Sequence, residues 1–380
     1  MRNKIPKHWQ KSKFEDVLQY EQPSKYIVKS TEYGDDYKTP VLTAGKSFIL
    51  GYTDEKDGIF TDVPVIIFDD FTTDTKFVDF HFKVKSSAMK ILKPTRNTNI
   101  KFIFYLMQTI HHKSDTHKRY WISEYAKREI PLPPLNEQNL IVKKIESCFE
   151  KIDLAISNFK KSKELIEIYK QSVLSRAFNG KLTNSNLNSW QVKKLGEICD
   201  LISGRDLEAD KYSSSICDYP YLIGASNFNN GEVEITRWTN FPAVIAKKGD
   251  LLITCKGSIG EMAICKFGKL HIARQIMAVR AKDKIFNLFL KYLLHFEVDK
   301  IKKSAKGIIP GIDRKIILNL EIPLPPLSEQ NLIVSEIEKR FKAADNALNL
   351  IEQNLKKAEI LKQSILSKAF NGKLVKDKNE

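Results

Sequence analysis

The chain has 380 residues, of which 42% are hydrophobic and 28% are charged, and this length suffices for two or three domains with real cores. It lacks the uninterrupted run of about eighteen apolar residues that a transmembrane helix needs. The net charge of +16 favours a polyanionic partner such as DNA or RNA, although a lysine-rich solvated surface explains the charge equally well.

The excess positive charge is concentrated in two regions. Residues 1–128 hold 22 Lys and Arg against 16 Asp and Glu, and residues 184–320 hold 21 against 14. The first ten residues carry charges and a proline where a signal peptide needs an apolar core. The five cysteines include no C-x-x-C pair, which is typical of reduced thiols and argues against a zinc site. We therefore expect a cytoplasmic protein that binds no metal.

Residues 1–130 are predicted to form a mixed α/β or mostly β domain, because short β-rich runs alternate with Gly and Asp turns. Within it, "IKFIFYLMQTI" is a candidate helix. The stretch "FDDFTTDTK" is either a nuclease-type acid cluster or a polar hairpin between strands, and the hairpin is favoured. The segment "PVLTAGKSF" is not a phosphate loop, because Pro40 stands where that motif needs a glycine.

Residues 131–183 are predicted to form a long coiled-coil helix. Apolar side chains recur at a 3–4–3–4 spacing for about five heptads, with Lys163 and Lys170 in two of the slots. The preceding "IPLPP" is expected to be extended, because each proline fixes φ. Asn136 is the predicted N-cap, and the helix is expected to end where Gly180 can adopt a left-handed conformation.

Residues 184–322 are predicted to form a second domain that shares a scaffold with the first. The segments "HWQKSKFEDV" and "SWQVKKLGEI" open the two domains. Each domain then has a buried strand, a polar turn, another strand and a basic segment before Met89 or Met277. A second candidate helix is "IFNLFLKYLLHFEV". One scaffold with divergent surfaces is what two readers of different targets need.

Residues 323–380 repeat the first long helix. The segment "EIPLPPLNEQNLIVKKIE" at Glu129 returns 192 positions later as "EIPLPPLSEQNLIVSEIE", with Ser328 as N-cap, Gly372 at the end and Lys362 in the seam. Each helix is expected to be about 40 residues, or about 60 Å, long. Because a domain lies between the helices and no long connector exists, the helices are predicted to pair antiparallel about a pseudo-two-fold axis.

This layout resembles the specificity subunit of a type I restriction–modification enzyme. The resemblance rests on "IPLPPLxEQ", the following coil and "AFNGKL", each present twice, and on "TAGKSFILGYT" and "KVKSSAMKIL". It implies an α/β (α+β) fold of two target recognition domains, residues 1–130 and 184–322, joined by two conserved antiparallel helices, residues 131–183 and 323–380. Each domain of such a protein reads one half of a bipartite target in double-stranded DNA.

The resemblance also implies that the chain is non-catalytic and acts with partners. Two methyltransferase (M) subunits and restriction or motor (R) subunits are expected, and S-adenosylmethionine, ATP and Mg would bind to those subunits rather than to this chain. In agreement, the sequence has no Gly-rich S-adenosylmethionine fingerprint and no Asn/Asp-Pro-Pro-aromatic loop. The alternative is a coiled-coil scaffold that presents two protein-interaction modules without sequence-specific DNA binding. That alternative explains the repeat but not the basic charge of both domains.

The predicted DNA contacts are polar and basic residues in loops, where side chains can reach base edges and phosphates. In the first domain they are Thr43, Gly45, Lys46, Tyr52, Lys83, Lys85, Ser86, Lys90, His111, His112, Lys113 and Lys118. In the second domain they are Gly204, Arg205, Ser226, Asn227, Lys256, Gly257, Ser258, Arg274, Gln275, Lys306 and Gly307. The basic, aromatic setting of His111, His112 and His117 favours a nucleic-acid contact over a metal site.

Overall fold

The computed structural model describes residues 6–43, 47–110, 119–229, 231–283, 285–303 and 311–375. These residues form two compact units. Unit 1 comprises residues 1–160 and 352–380, and unit 2 comprises residues 161–351. Among the described helices, none has the length and apolar composition required to cross a membrane.

The secondary structure mixes short strands with two long helices. The strands are β1 (Gln10–Lys13), β2 (Leu18–Glu21), β3 (Thr39–Leu42), β4 (Ile49–Thr53), β5 (Val65–Asp69), β6 (Thr75–Val78), β7 (Lys83–Val84), β8 (Met89–Pro94), β9 (Glu129–Leu132), β10 (Gln191–Lys194), β11 (Cys199–Ser203), β12 (Tyr219–Leu222), β13 (Phe228–Asn229), β14 (Glu232–Val233), β15 (Arg237–Thr239), β16 (Ile245–Lys247), β17 (Leu251–Thr254), β18 (Met262–Ile264), β19 (Lys269–Ile272), β20 (Ile276–Ala281) and β21 (Glu321–Leu324). The helices are α1 (Phe14–Val17), α2 (Ile100–Met107), α3 (Leu135–Phe178), α4 (Leu195–Ile198), α5 (Asn287–Lys303), α6 (Arg314–Leu318) and α7 (Leu327–Phe370). The predicted candidate helices correspond to α2 and α5.

Unit 1 contains two sheets and a short ladder. The four-stranded sheet has the order β2-β8-β5-β6 and the three-stranded sheet the order β4-β3-β7, while β1 pairs with β9. Strand β5 is buried along its whole length, which is why its sequence is a continuous apolar run rather than an alternation. One core lies between the sheets, and another packs α2 and a π-helical turn, Trp121–Tyr125, against both long helices.

Unit 2 repeats this topology. Its sheets have the orders β11-β20-β17-β18 and β15-β12-β19-β16, and β10 pairs with β21. The inner pair of the second sheet, β12 and β19, is parallel, as β3 and β7 are in unit 1. The two domains therefore share one scaffold, as the sequence parallels predict, although in unit 2 strand β16 adds a fourth strand to the second sheet and β13 and β14 form an extra small hairpin.

The acidic segment of unit 1 is a hairpin turn. Strands β5 and β6 pair antiparallel on either side of it. The Asp69 carboxylate accepts hydrogen bonds from the backbone N–H groups of Phe71 and Thr72, at 2.8 and 3.2 Å. Asp residues that bond their own backbone in this way stabilise tight turns. The favoured interpretation of "FDDFTTDTK" is thus confirmed.

Both long helices begin in the same way. The extended "EIPL" segments form β9 and β21, as the prolines predict, and a buried glutamine fixes the first turn that follows. Gln138 accepts from the Asn99 N–H at 2.8 Å and donates to the Pro133 carbonyl at 2.9 Å. Gln330 accepts from the Phe286 N–H and donates to the Pro325 carbonyl at the same two distances.

The helix limits differ slightly from prediction at one end only. The helices begin at Leu135 and Leu327, so the predicted caps Asn136 and Ser328 lie inside the first turn. The cause is that the carbonyls of the preceding prolines already accept the first helical hydrogen bonds. At the other end, Gly180 and Gly372 have φ of +69° and +67°, which confirms the left-handed termination.

Unit 1 contains residues 135–160 of α3 and residues 352–370 of α7. These two segments pair antiparallel. The end of α7 lies beside α2, where the rings of Phe370 and Phe102 are 5.2 Å apart, and the start of α3 is bonded to the residue that caps α2. Further along both helices, the Lys362 Nζ lies 2.5 Å from an Asp153 carboxylate oxygen and 5.2 Å from the Phe149 ring centroid. The seam lysine is therefore paired rather than simply solvated.

Unit 2 contains the same arrangement with the two helices exchanged. The Lys170 Nζ lies 2.6 Å from an Asp345 carboxylate oxygen and 5.6 Å from the Phe341 ring centroid. These three residues are each 192 positions from their counterparts in unit 1. The predicted antiparallel pairing is thus found inside each unit, whereas the pseudo-two-fold relation of the two units stays a prediction.

Candidate nucleic-acid interface

The turn between β19 and β20 is the centre of the candidate surface in unit 2. The Ala273 N–H donates to the Leu222 carbonyl at 2.9 Å, which ties the start of the turn to one sheet. The Cys255 N–H donates to the Gln275 carbonyl at 2.8 Å, which ties its end to the other sheet. Arg274 lies exposed between these two anchors. The backbone at Arg274 is therefore held from both sides.

The loop that follows β11 runs alongside this turn. The Gly204 N–H donates to the Ile276 carbonyl at 3.0 Å, and the Arg205 N–H donates to the Ile272 carbonyl at 2.9 Å. A Cβ at position 204 would lie 2.1 Å from the Ala273 carbonyl oxygen, so only glycine permits this approach. The predicted residues Gly204, Arg205, Arg274 and Gln275 are thus brought together, with the Arg205 side chain exposed.

An aspartate that the sequence analysis did not select holds Arg274. One carboxylate oxygen of Asp206 lies 2.7 Å from the Arg274 Nε, and the other accepts the Arg274 backbone N–H at 3.0 Å. The Arg274 side chain is nevertheless 67% exposed. Because a polyanion repels carboxylates, a search for DNA contacts by charge passes over aspartates. The only feature of the sequence that could have pointed to Asp206 is its position next to the predicted contact Arg205.

The loop after β17 contributes a second basic group at the same end of the sheets. Lys256, Gly257 and Ser258 are all exposed. Lys256 forms a bridge with Gly311, and the loop starts directly after Cys255, whose N–H is bonded to the Arg274 turn. These three predicted residues are therefore placed on the candidate surface next to Arg274.

Two adjacent predicted residues, Ser226 and Asn227, have different positions. Ser226 is exposed. Asn227 is 4% exposed; its side-chain oxygen accepts from the N–H groups of Ile223 and Gly224, and its amide donates to the Glu234 carbonyl at 2.9 Å. The prediction that Asn227 reads bases is corrected, because its polar atoms are used inside the domain to close the loop after β12.

In unit 1, the equivalent surface is formed by the ends of the parallel strands β3 and β7. The Lys85 N–H donates to the Leu42 carbonyl at 2.9 Å, so Lys85 and Thr43 follow neighbouring strand ends. Lys85 and Ser86 are exposed and Thr43 is half-buried. Tyr52 lies on the adjacent strand β4 opposite Pro40, three residues before Thr43, and is 36% exposed. The predicted residues Thr43, Lys85 and Ser86 therefore share one region of unit 1, and Tyr52 lies further along the sheet.

The prediction that Lys83 and Lys90 contact DNA is wrong, because both side chains are buried. Lys83 is 2% exposed, and its Nζ lies 2.9 Å from Glu55 and donates to the Asp57 carbonyl at 2.5 Å. Lys90 is 1% exposed, and its Nζ lies 3.3 Å from an Asp70 carboxylate oxygen. Neither ammonium group faces solvent, so neither is available to a phosphate. The carboxylate partners are 20 or more residues away in sequence, which is why the local pattern did not reveal them.

The remaining predicted contacts lie outside the described residues. They are Gly45, Lys46, His111, His112, Lys113, Lys118, Lys306 and Gly307. The same holds for His117. Among the residues that the structure does describe, no group of three or more His, Cys, Asp or Glu side chains is arranged to hold a metal ion.

Several titratable groups inside the two units have shifted pKa values. In unit 1, the hydrogen bond from Lys83 lowers the pKa of Glu55 to about 2. In unit 2, burial lowers the pKa of His271, whose Nδ1 lies 2.8 Å from the Val244 carbonyl oxygen. Burial raises the pKa of Cys199 to about 12 and raises that of Cys255 as well. These thiols stay protonated near neutral pH, so they are poor nucleophiles.

Comparison with known proteins agrees with this arrangement. The model of the family described as "Type I restriction modification DNA specificity domain" matches residues 6–166 and 188–361. The Escherichia coli type I restriction enzyme EcoR124I/EcoR124II specificity subunit is 31% identical over 355 residues, which cover 88% of this chain and 86% of that relative.

Two solved structures have a similar fold. One, from work on complex assembly and conformational transition of the type I R-M system, has a TM-score of 0.79 and 22% identity, covering 97% of this chain and 99% of the other. The other is the HsdS subunit from Thermoanaerobacter tengcongensis, with a TM-score of 0.62 and 21% identity, covering 98% of this chain and 99% of that one. With the family match over most of its length, the chain belongs to the type I restriction–modification DNA specificity subunits.

Proposed function

We propose that each unit reads one half of a bipartite DNA target. The observation that carries the proposal is that two domains with one strand order present different side chains at the same end of their sheets. Unit 1 presents Thr43, Lys85 and Ser86 there, and unit 2 presents Arg205 and Arg274. A shared scaffold with unlike contact groups is what recognition of two unlike half-sites requires, since base identity is read by individual side chains.

The chemistry of these surfaces suits duplex DNA. Exposed lysines and arginines neutralise phosphates, and hydroxyl, amide and guanidinium groups can bond base edges. The Asp206 carboxylate on the surface of unit 2 is paired with Arg274, so its repulsion of phosphates is reduced. The second candidate, a scaffold for protein-interaction modules, is not favoured for a member of a DNA specificity family.

Partner subunits are proposed to bind the long helices. The Escherichia coli relative is the specificity subunit of a type I restriction enzyme, and we extend that role to this chain. Apolar side chains that are at least half exposed lie on α3 and α7: Leu140, Leu154, Ile360 and Leu361 in unit 1, and Leu165, Ile168, Leu332 and Leu350 in unit 2. We infer that partner subunits cover these side chains, because contiguous exposed apolar patches mark protein–protein interaction sites.

On this proposal, the chain is a non-catalytic cytoplasmic subunit. Two methyltransferase subunits would dock on the helices, and restriction or motor subunits would join them. S-adenosylmethionine, ATP and Mg would bind to those partners, so the contribution of this chain is to position them on a chosen sequence.

The test is methylation mapping of the genome of a host that carries this chain with its methyltransferase subunits. We expect one bipartite motif with a fixed spacer. Lys256→Glu should weaken recognition of the half read by unit 2, because it reverses a charge beside Arg274. The matched control is Lys269→Glu, which changes the net charge equally at an exposed site at the other end of β19. Methylation without a bipartite motif would overturn the proposal.

A further inference from the structure

The guanidinium of Arg274 forms an ion pair with Asp206 and is otherwise open. Its Nε lies 2.7 Å from an Asp206 carboxylate oxygen, the Arg274 backbone N–H donates to the same carboxylate, and none of the described residues accepts a hydrogen bond from Nη1 or Nη2. Those two nitrogens form a planar fork of donors, which matches two acceptors lying side by side. In the major groove, the O6 and N7 atoms of guanine are such a pair.

Asp206 is itself fixed by its neighbours in the chain. The Arg205 N–H donates to the Ile272 carbonyl at 2.9 Å, and the Leu207 N–H donates to the Tyr221 hydroxyl at 3.3 Å. The backbone of Arg274 is anchored to both sheets by the turn that contains it. Both partners of the ion pair therefore start from held positions, and this limits the directions in which the free edge can point.

The aspartate also distinguishes a base contact from a phosphate contact. A carboxylate at 2.7 Å offsets much of the positive charge of the guanidinium, so the pair attracts a phosphate less than a lone arginine does. It leaves the directional donors of the fork intact. An arginine that only neutralised phosphate would be more effective without Asp206, whereas one that reads a base is more selective when it is oriented.

We propose that Arg274, oriented by Asp206, reads a guanine in the half-site recognised by unit 2. This inference rests on the proposed function and names one base that it requires. It is confined to unit 2, because the corresponding turn of unit 1, between β7 and β8, carries Lys85, Ser86 and Ser87 and no arginine. Arg274 is the specificity-determining residue, and Asp206 is a positioning residue.

The experiment measures binding of the complex with its methyltransferase subunits to its mapped target. Each guanine of the unit 2 half-site is replaced in turn by 7-deazaguanine, which lacks N7. One replacement should weaken binding of the wild-type complex about 10-fold or more. The Arg274→Ala complex should lose affinity for the intact target and be insensitive to that same replacement. Arg274→Lys should keep more affinity for non-specific duplex than Arg274→Ala but show a weaker guanine preference than wild type, because lysine keeps the charge but not the fork.

Asp206→Asn tests the positioning role. It should reduce the preference for the guanine several-fold while affinity for non-specific duplex stays equal or rises, since a negative charge is removed. Lys269→Ala, at the far end of β19, is the control and should change neither.

A different outcome would show Arg274 to be a phosphate contact. In that case Arg274→Ala would weaken binding to all duplexes alike and lower the slope of log K against log salt by about 1, which would overturn the inference. A half-site for unit 2 without any guanine on either strand would also overturn it while leaving the proposed function intact. If the wild-type complex preferred no sequence at all, the proposed function and this inference would fail together.

Discussion

At the scale of single residues, the two units differ most clearly at one buried pair. The pairing of β5 with β8 in unit 1 corresponds to the pairing of β17 with β20 in unit 2. Lys90 in β8 therefore corresponds to Met277 in β20. Asp70, which follows β5, corresponds to Cys255, which follows β17. Asp70 is 2% exposed and Lys90 1% exposed. One scaffold thus accepts an ion pair in one unit and an apolar pair in the other, which agrees with the finding that buried ion pairs are often replaceable by hydrophobic residues.

Lys90→Met should destabilise unit 1 by about 3–5 kcal/mol, because it leaves the Asp70 carboxylate buried without its counter-ion. Adding Asp70→Asn should recover much of this loss. The asparagine oxygen can still accept the Trp121 N–H, which Asp70 accepts at 2.9 Å, and no charge remains. Urea unfolding of the two single variants and the double variant measures the coupling. Simple additivity of the two single effects would contradict the role assigned to this pair.

The acid stability of unit 1 should depend on Glu55. Its pKa falls from 4.5 to about 2, chiefly through the Lys83 hydrogen bond and then through the Ser30 N–H. A carboxylate with a lowered pKa stabilises the fold fully above pH 4.5, and that stabilisation is lost as the pH falls toward 2. Glu55→Gln should therefore lower the melting temperature at pH 7, and its difference from wild type should shrink between pH 4.5 and 2. A constant difference across that range would exclude this contribution.

These buried pairs also mark what the sequence could not predict. Lys83 and Lys90 belong to a basic segment that resembles a phosphate-binding patch, and only the tertiary fold shows that Glu55 and Asp70 reach them. Asp206 is the opposite case, a residue that the local pattern did not select but that contributes to the surface. Its role depends on its contact with Arg274, 68 residues later. The local sequence does not show which distant residue will pair with a given charged side chain. Individual DNA-contact residues were therefore predicted less accurately than the secondary structure.

At the scale of elements, local patterns were sufficient. Prolines fixed the extended β9 and β21, heptad spacing fixed the two long helices, and glycines fixed their ends, because each of these signals acts within one or two helical turns. The seam lysines were visible as exceptions in the pattern. Their partners, Asp153 and Asp345, became clear only from the antiparallel pairing.

Two ion pairs between α3 and α7, Lys362–Asp153 and Lys170–Asp345, should help to set the register of the helices. Reversing Lys362 to Asp places two carboxylates together beside Phe149, and we expect a loss of about 1 kcal/mol in unfolding free energy. Adding Asp153→Lys restores an opposite pair and should recover most of the loss. The same exchange at Lys170 and Asp345 is the matched control in unit 2 and should behave alike. Thermal unfolding of each single and double variant measures this, and a double variant less stable than both singles would argue against the assignment.

At the scale of the whole molecule, the repeat predicted the order of domain, helix, domain and helix, and the shared strand order of the two units confirms the common scaffold. What the order did not reveal is how each unit is completed. The core of unit 1 includes Ala358, Ile365 and Phe370 from α7, although the rest of that unit lies within residues 1–160. Neither unit is formed by its own globular segment alone.

This shared construction has a consequence for synthesis in the cell. A ribosome makes residues 1–160 before residues 352–370, yet the core of unit 1 includes residues from both segments, among them Phe370, which packs on Phe102. Part of the apolar surface of residues 1–160 therefore stays uncovered until residues 352–370 have been translated. A stop codon after residue 351 would consequently harm the first-made domain, far from the lesion in sequence, and leave unit 2 complete.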